Sequence, residues 1–170
     1  DVRQYRPYQL DDQLEKLLHE KAVAGRSAWS RLFDESLGGL RFPYGKKGKK
    51  KANLTSEEIL DIMSSSDPKA RKRAAKAFGK VLGENNQHFA LITNTLAKDK
   101  AIEDEWRGYS RPIESRNIDN AVENEVVDAL LSTVEKNYPQ LSHRYYTLKA
   151  KWFDKEQLNY WDRNAPLPSV

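Results

Sequence analysis

Apolar residues recur along most of the chain at intervals of three and four, the period that places them on one side of an α-helix. Leu10, Leu14, Leu17 and Leu18 form a first stripe, and Ala28, Trp29, Leu32, Phe33 and Leu37 a second after Gly25, as two helices or one bent one. Gly38-Gly39 stops the pattern. Leu40-Arg41-Phe42-Pro43-Tyr44 then alternates, and Lys51-Ala52-Asn53-Leu54 follows a lysine-rich turn, so residues 40–54 predict a β-hairpin. Pro43 has no N–H to give a ladder, which confines its strand to a sheet edge or bulge.

Thr55-Ser56-Glu57-Glu58 has the spacing of a capping box ahead of Ile59, Ile62 and Met63. Asp67-Pro68 is a second helix start: the carboxylate caps free amides, and proline at the first helical position loses no hydrogen bond. A long helical region then runs through Phe78, Val81, Leu82, Phe89, Ile92 and Leu96 to about Trp106, with an expected break near Gly83-Glu84-Asn85-Asn86. Gly79 and Gly83 share a face, which predicts close approach of another backbone there. Beyond a loop bounded by Gly108 and Pro112, Val122, Val126, Leu130, Val134 and Tyr138 recur every fourth residue. Pro139 starts another helix carrying Leu141, Tyr145, Leu148 and Trp152, and the tail Ala165-Pro166-Leu167-Pro168 is irregular. Trp29 and Trp152 lie on apolar stripes and are expected in the core. The predicted fold is mainly α, a multi-helix domain with one small β-hairpin and no internal repeat, residues 1–170 forming a single helical domain or fragment.

Composition supports order. Of 170 residues 38% are apolar and 17 aromatic, so the negative mean hydropathy reflects charged helix faces and not a chain too polar to fold. Cysteine is absent, which excludes disulfides, thiolate metal sites and a cysteine nucleophile and fits a reducing, cytoplasmic setting. The longest apolar stretches, near Val126 to Val134 and Phe89 to Leu96, fall far below the roughly 18 residues of a membrane span, and no membrane partner is expected. The N-terminal Asp1-Val2-Arg3-Gln4-Tyr5 is unlike a signal peptide and lacks methionine, as a trimmed or excised segment would.

The net charge of +4 is unevenly spread: residues 46–80 carry 11 basic and 4 acidic groups. Five of the lysines lie in Lys46-Lys47-Gly48-Lys49-Lys50-Lys51, either a solvated hairpin tip or a phosphate-contacting patch. The second option, extended through Lys69, Arg71, Lys72 and Arg73, describes a stand-alone helical module binding nucleic acid. No aromatic residues interleave the lysines and no nucleic-acid motif accompanies them, which makes nucleic acid an unfavoured partner.

Local catalytic patterns are missing. His19-Glu20-Lys21-Ala22-Val23 begins like the zinc motif H-E-x-x-H but ends in valine, and the positions four after His88 and His143 are Ile92 and Thr147. No phosphate-binding loop and no Gly-x-Ser-x-Gly elbow is present. Glu57-Glu58 reads as a helix first turn and Glu103-Asp104-Glu105 as a solvated helix face. Trp29, Trp106, Trp152, Trp161 and the Tyr145-Tyr146 pair are material for a peptide-binding groove. Arg107, Arg111 and Arg116 either clamp a carboxylate or pair with Glu103, Asp104 and Glu114.

Several segments together resemble the oligoendopeptidase F family of zinc metalloendopeptidases, relatives of thimet oligopeptidase. They are Ser27-Ala28-Trp29-Ser30-Arg31-Leu32-Phe33-Asp34-Glu35; Ser66-Asp67-Pro68 with Arg71, Ala74 and Ala75; Arg116-Asn117; His143-Arg144-Tyr145-Tyr146-Thr147-Leu148-Lys149-Ala150-Lys151; and Leu158, Asp162, Ala165 and Pro166. The resemblance implies the helical region preceding the zinc-peptidase catalytic domain, one wall of a deep channel that admits short peptides. The family's H-E-x-x-H motif lies beyond the matched region, so the resemblance gives this chain no catalytic or metal-binding residue and predicts it inactive alone. It implies zinc and a catalytic domain in the parent enzyme, where the metal polarises the peptide carbonyl and the motif glutamate takes a proton from water. Tyr109, Arg111, Arg116, Tyr145 and Tyr146 are the candidate channel residues. Exposed apolar surface, once covered by the rest of the enzyme, is a further expectation.

Overall fold

The computed structural model of the chain describes residues 2–45, 48 and 50–168. Lys46, Lys47 and Lys49, central to the lysine-rich tip, lie outside the described residues. Two compact units divide the chain: the first combines residues 1–34 and 88–136, the second 35–87 and 137–170. The elements, in order, are a 3₁₀ turn Val2–Tyr8, α1 Asp12–Ala22, α2 Arg26–Gly39, β1 Phe42–Tyr44, β2 Ala52–Leu54, α3 Ser56–Met63, α4 Pro68–Glu84, α5 Asn86–Arg107, α6 Glu114–Asp119, α7 Asn124–Asn137, a π-helical turn Pro139–His143, α8 Arg144–Trp152 and a 3₁₀ turn Tyr160–Asp162. The fold is mainly α with one antiparallel hairpin, as the periodicities predict.

Local chemistry sets the boundaries. The Asp11 carboxylate accepts from the Gln13 and Leu14 amides, both at 3.0 Å, and starts α1. The capping box of α3 is formed in both directions, Thr55 N–H donating to Glu58 Oε2 at 2.8 Å and Glu58 N–H to Thr55 Oγ1 at 3.3 Å. Asp67 accepts from the Lys69 amide at 2.8 Å ahead of Pro68 at the start of α4. The break between α4 and α5 falls at Asn85, whose side-chain amide donates to the Val81 carbonyl at 2.9 Å. Gly108 ends α5: its φ of +76° is left-handed, and the next amide, Tyr109 N–H, turns back to the Asp104 carbonyl at 3.0 Å.

Three expectations change. A Cβ placed on Gly79 or Gly83 meets nothing within 4 Å, so these glycines face open space and not another backbone. The periodicity assigns no element to residues 113–121, yet α6 forms there; it is six residues long and its N-cap, Ile113, offers no side-chain bond, so the usual start signal is absent. Trp152 is half exposed, at 50%, because α8 buries Lys149 and Ala150 and turns the stripe Leu141, Tyr145, Leu148 and Trp152 outward.

In the second unit, Phe42, Ile59 and Ala74 are fully buried, ringed by Leu40, Tyr44, Leu54, Ile62, Met63, Ala77, Phe78 and Val81. Phe42 stacks on Phe78 with centroids 5.2 Å apart. The hairpin pairs Phe42 with Leu54, Pro43 with Asn53 and Tyr44 with Ala52. In a two-stranded ribbon both strands are edges, so Pro43 is tolerated. Beside this apolar core lies a polar one. Arg71 Nη2 donates to Asp162 Oδ1 at 2.8 Å with both side chains buried, and Arg71 Nη1 reaches the carbonyls of Ser65 and Ser66 at 2.7 and 3.0 Å. Lys155 and Asn159 also bond Asp162, and buried Lys149 donates to the Arg163 carbonyl at 2.7 Å. Arg71 is therefore sequestered, which removes it from the basic surface expected to meet a polyanion.

In the first unit Ile92 and Asn117 are buried, and Phe33 packs edge-on against Phe89 at 5.4 Å. Asn117 Nδ2 donates to Asn124 Oδ1 at 2.7 Å, tying α6 to the start of α7. The α7 stripe is exposed, Leu130 at 62% and Val126 at 54%. Among the described residues no helix is long and apolar enough to cross a membrane.

Candidate functional site

The expected channel residues separate between the units. Tyr109, Arg111 and Arg116 belong to the first, Tyr145 and Tyr146 to the second. In the first unit a cavity of about 640 Å³ is lined by residues of the N-terminal turn, α1, α2, α5 and α6, among them Tyr5, Tyr8, Glu15, Arg26, Lys100, Arg107, Tyr109 and Asp119. Tyr109 stacks on Tyr8 with centroids 4.4 Å apart, an arrangement set by the turn at Gly108. Tyr5, Tyr8 and Glu15 carry no sequence signal: they meet Asp119, Glu114 and Arg107 across about a hundred residues of chain.

Ion pairs tie the lining together. Arg107 donates to both oxygens of Glu15, at 2.7 and 2.9 Å, to Glu103 Oε1 at 2.9 Å and to the Tyr8 carbonyl at 3.3 Å. Arg26 donates to the second Glu103 oxygen at 2.9 Å. Hydrogen bonding from Arg107 holds the Glu15 carboxyl down at about 2. The Tyr5 phenol, donating to Asp119, is pushed up to about 12; Tyr8, donating to Glu114, is raised, and burial raises Tyr109. At neutral pH the Glu15 carboxylate therefore stays charged and the three phenols stay protonated. Lys100 Nζ donates to both Asp104 oxygens, at 2.8 and 2.6 Å, and to Ser115 Oγ at 3.4 Å. As a donor in all three bonds it does not activate that serine. The lining charges are thus held in a fixed lattice of paired donors and acceptors.

Arg111 is engaged too. It grips Asp128 with two bonds of 2.9 and 2.8 Å, while Glu114 accepts from Tyr8 and Ser110 instead. The alternative that had the arginines paired with nearby acids thus holds for Arg107 with Glu103, whereas Arg111 finds a different acid. Arg116 is exposed on α6. In the second unit the Tyr145 and Tyr146 rings meet edge-on at 5.3 Å, and Tyr146 lines a cleft of about 360 Å³ with Ala150, Leu158, Tyr160 and Arg163. Trp106, 59% exposed, closes an apolar groove of about 740 Å³ with Leu10, Leu14, Leu17, Leu18 and Ile102. Among the described residues no three His, Cys, Asp or Glu side chains are grouped to hold a metal ion.

Comparison with known proteins gives these surfaces a context. The sequence model of the family described as Oligopeptidase F matches residues 1–42. Oligopeptidase PepF of Bacillus subtilis is 26% identical over 98% of this chain and 25% of its own length. The crystal structure of oligoendopeptidase-F from Enterococcus faecium superposes with a TM-score of 0.84 at 26% identity, over 97% of this chain and 32% of that one. A Chlamydophila abortus structure, 20% identical, shares the fold with a TM-score of 0.82 over 98% of this chain. The chain thus spans about a quarter to a third of the length of these relatives. Of the residues that carry the sequence resemblance, Arg71, Ala74, Ala75, Asn117, Lys149, Ala150, Asp162 and Ala165 are buried, and a packing role accounts for them. In both sequence and fold, the chain resembles the N-terminal region of the oligoendopeptidase F proteins.

Proposed function

We propose that this chain is the non-catalytic helical portion of a zinc-dependent oligoendopeptidase that cleaves short peptides, and that it walls the substrate channel. The observation that carries this reading is the likeness to oligoendopeptidase-F over 97% of this chain but only 32% of that one. The zinc implied by the family finds no fitting donor set among the described residues, and the sequence has no H-E-x-x-H; the metal and the bond chemistry are assigned to the rest of the parent enzyme. What this segment supplies is confinement and alignment. A paired lattice of Arg107, Glu15, Glu103 and Arg26 beside stacked Tyr8 and Tyr109 offers hydrogen bonds at fixed positions, and holding an extended peptide in register lowers the entropy cost of reaching the transition state.

Exposed apolar stripes on α7 and α8 fit the same reading, since contiguous apolar surface marks a partner site, here the catalytic domain. Lack of cysteine suits a cytoplasmic enzyme. The test compares the complete reading frame with a version lacking residues 1–170, on quenched peptides of increasing length and on an unfolded protein. The expected result is hydrolysis by the complete enzyme with a sharp length limit, and loss of both efficiency and limit in the truncated one. Unchanged kcat/KM and length selectivity after truncation, or a reading frame without H-E-x-x-H, would refute the proposal.

A further inference from the structure

A cleft of about 330 Å³ in the second unit, between β1 and α4, collects cations that the peptidase reading does not use. Arg73, Lys76 and Lys80 follow one another at spacings of three and four along α4 and share its face toward the hairpin, and Lys51 lines the cleft from the β2 side. Tyr44 and Pro43 supply the opposite wall. Among the described residues Glu84 is the one carboxylate lining the cleft, and it lies 3.5 Å from Lys80, with both side chains well exposed.

Arg73 is the informative member. Its guanidinium sits 5.8 Å from the centre of the Tyr44 ring and makes a single long bond, Nη2 to the Tyr44 hydroxyl at 3.4 Å. Its Nε is buried without a hydrogen-bond partner, and no carboxylate pairs with it among the described residues. Asp67, whose carboxyl feels the Arg73 charge, is committed to capping the Lys69 amide. The buried Nε is out of a ligand's reach, but Nη1 makes no bond among the described residues and is not among the buried donors, so an anion in the cleft would accept from it. Four cations against one carboxylate select a multivalent anion, and the concave shape selects a small one over a flat polymer surface.

We propose that this cleft binds a small phosphate anion of at least two charges, such as pyrophosphate or the phosphate chain of a nucleotide, gripped by Arg73, Lys76, Lys80 and Lys51. The site stands apart from the peptidase reading and survives or fails independently of it. The experiment is calorimetric titration of the whole chain with inorganic pyrophosphate at about 50 mM salt, where screening is weak enough for a surface-accessible site to register. A single site per chain is expected, weakened about tenfold or more in Lys76→Gln/Lys80→Gln, whose exposed side chains leave the fold intact, and about twofold or less in a Lys16→Gln/Lys98→Gln control. Arg73→Lys keeps the charge and loses the fork, and about fivefold weakening is expected. Absence of binding overturns the proposal, as does equal weakening in the control. Binding of a short oligonucleotide with no response to pyrophosphate also overturns it, in favour of an extended polyanion surface.

Discussion

Removing Asp162 should be the most damaging single change in the second unit. Its carboxylate is fully buried against Arg71, also buried, and accepts further bonds from Lys155 and Asn159. Asp162→Leu leaves the Arg71 charge in the interior with its Ser65 and Ser66 carbonyl bonds but no counter-ion, a loss of about 3–5 kcal/mol. Replacing both partners, Arg71→Met with Asp162→Leu, removes the stranded charge and should recover most of that loss, giving a coupling of about 2 kcal/mol or more. Burial works to raise the Asp162 carboxyl, but the bonds from Lys155, Arg71 and Asn159 prevail and hold it at about 2, below its ordinary 3.8. Because the folded value is depressed, its contribution is complete above pH 4 and fades as pH falls from about 4 to 2, amounting to about 2 kcal/mol. Urea unfolding followed by circular dichroism, on wild type, both single variants and the double, measures the cycle; repeating it at pH 5 and 3 measures the slope. Single losses below about 1 kcal/mol, or additive losses in the double variant, would refute the idea of a coupled buried pair.

Thr55→Ala removes one half of the capping box of α3 and is expected to cost about 1 kcal/mol in the same urea assay. Arg107→Ala strips Glu15, Glu103 and the Tyr8 carbonyl of their shared donor, and about 2–3 kcal/mol should be lost, with the Glu15 carboxyl returning toward its ordinary value in carbon-detected NMR titration. Leu130→Glu with Val134→Lys places charge on the exposed α7 stripe; stability should change by no more than about 0.5 kcal/mol, while sedimentation should show less self-association of the isolated chain.

Much of the architecture was legible because its signals are local. The box at Thr55 and Glu58, the Asp67-Pro68 start and the punctuation at Gly38-Gly39 and Gly108 act within a few residues, and the helices and the hairpin formed where those signals stood. Helix α6 was not legible, since it has no side-chain cap and is only six residues long. Periodicity also located the apolar stripes without revealing which of them are covered. Trp152 and Leu130 keep perfect helical spacing yet remain exposed, because a stripe says that a face is apolar and not that a partner is present.

The candidate site divides in the same way. Sequence alone determined the class of fold, the absence of a cysteine or H-E-x-x-H chemistry, and the surplus of positive charge between residues 46 and 80. Tertiary structure decided the fate of individual charges: Arg71 became a buried partner of Asp162, 91 residues away, while Arg73, two positions on, kept donors unspent in an open cleft. It also brought Tyr8 to Tyr109 and Glu15 to Arg107. Spacing along a chain fixes which face of a helix a residue occupies, but whether that face meets an acid, a ring or water depends on segments far away in sequence, and only the folded chain brings those together.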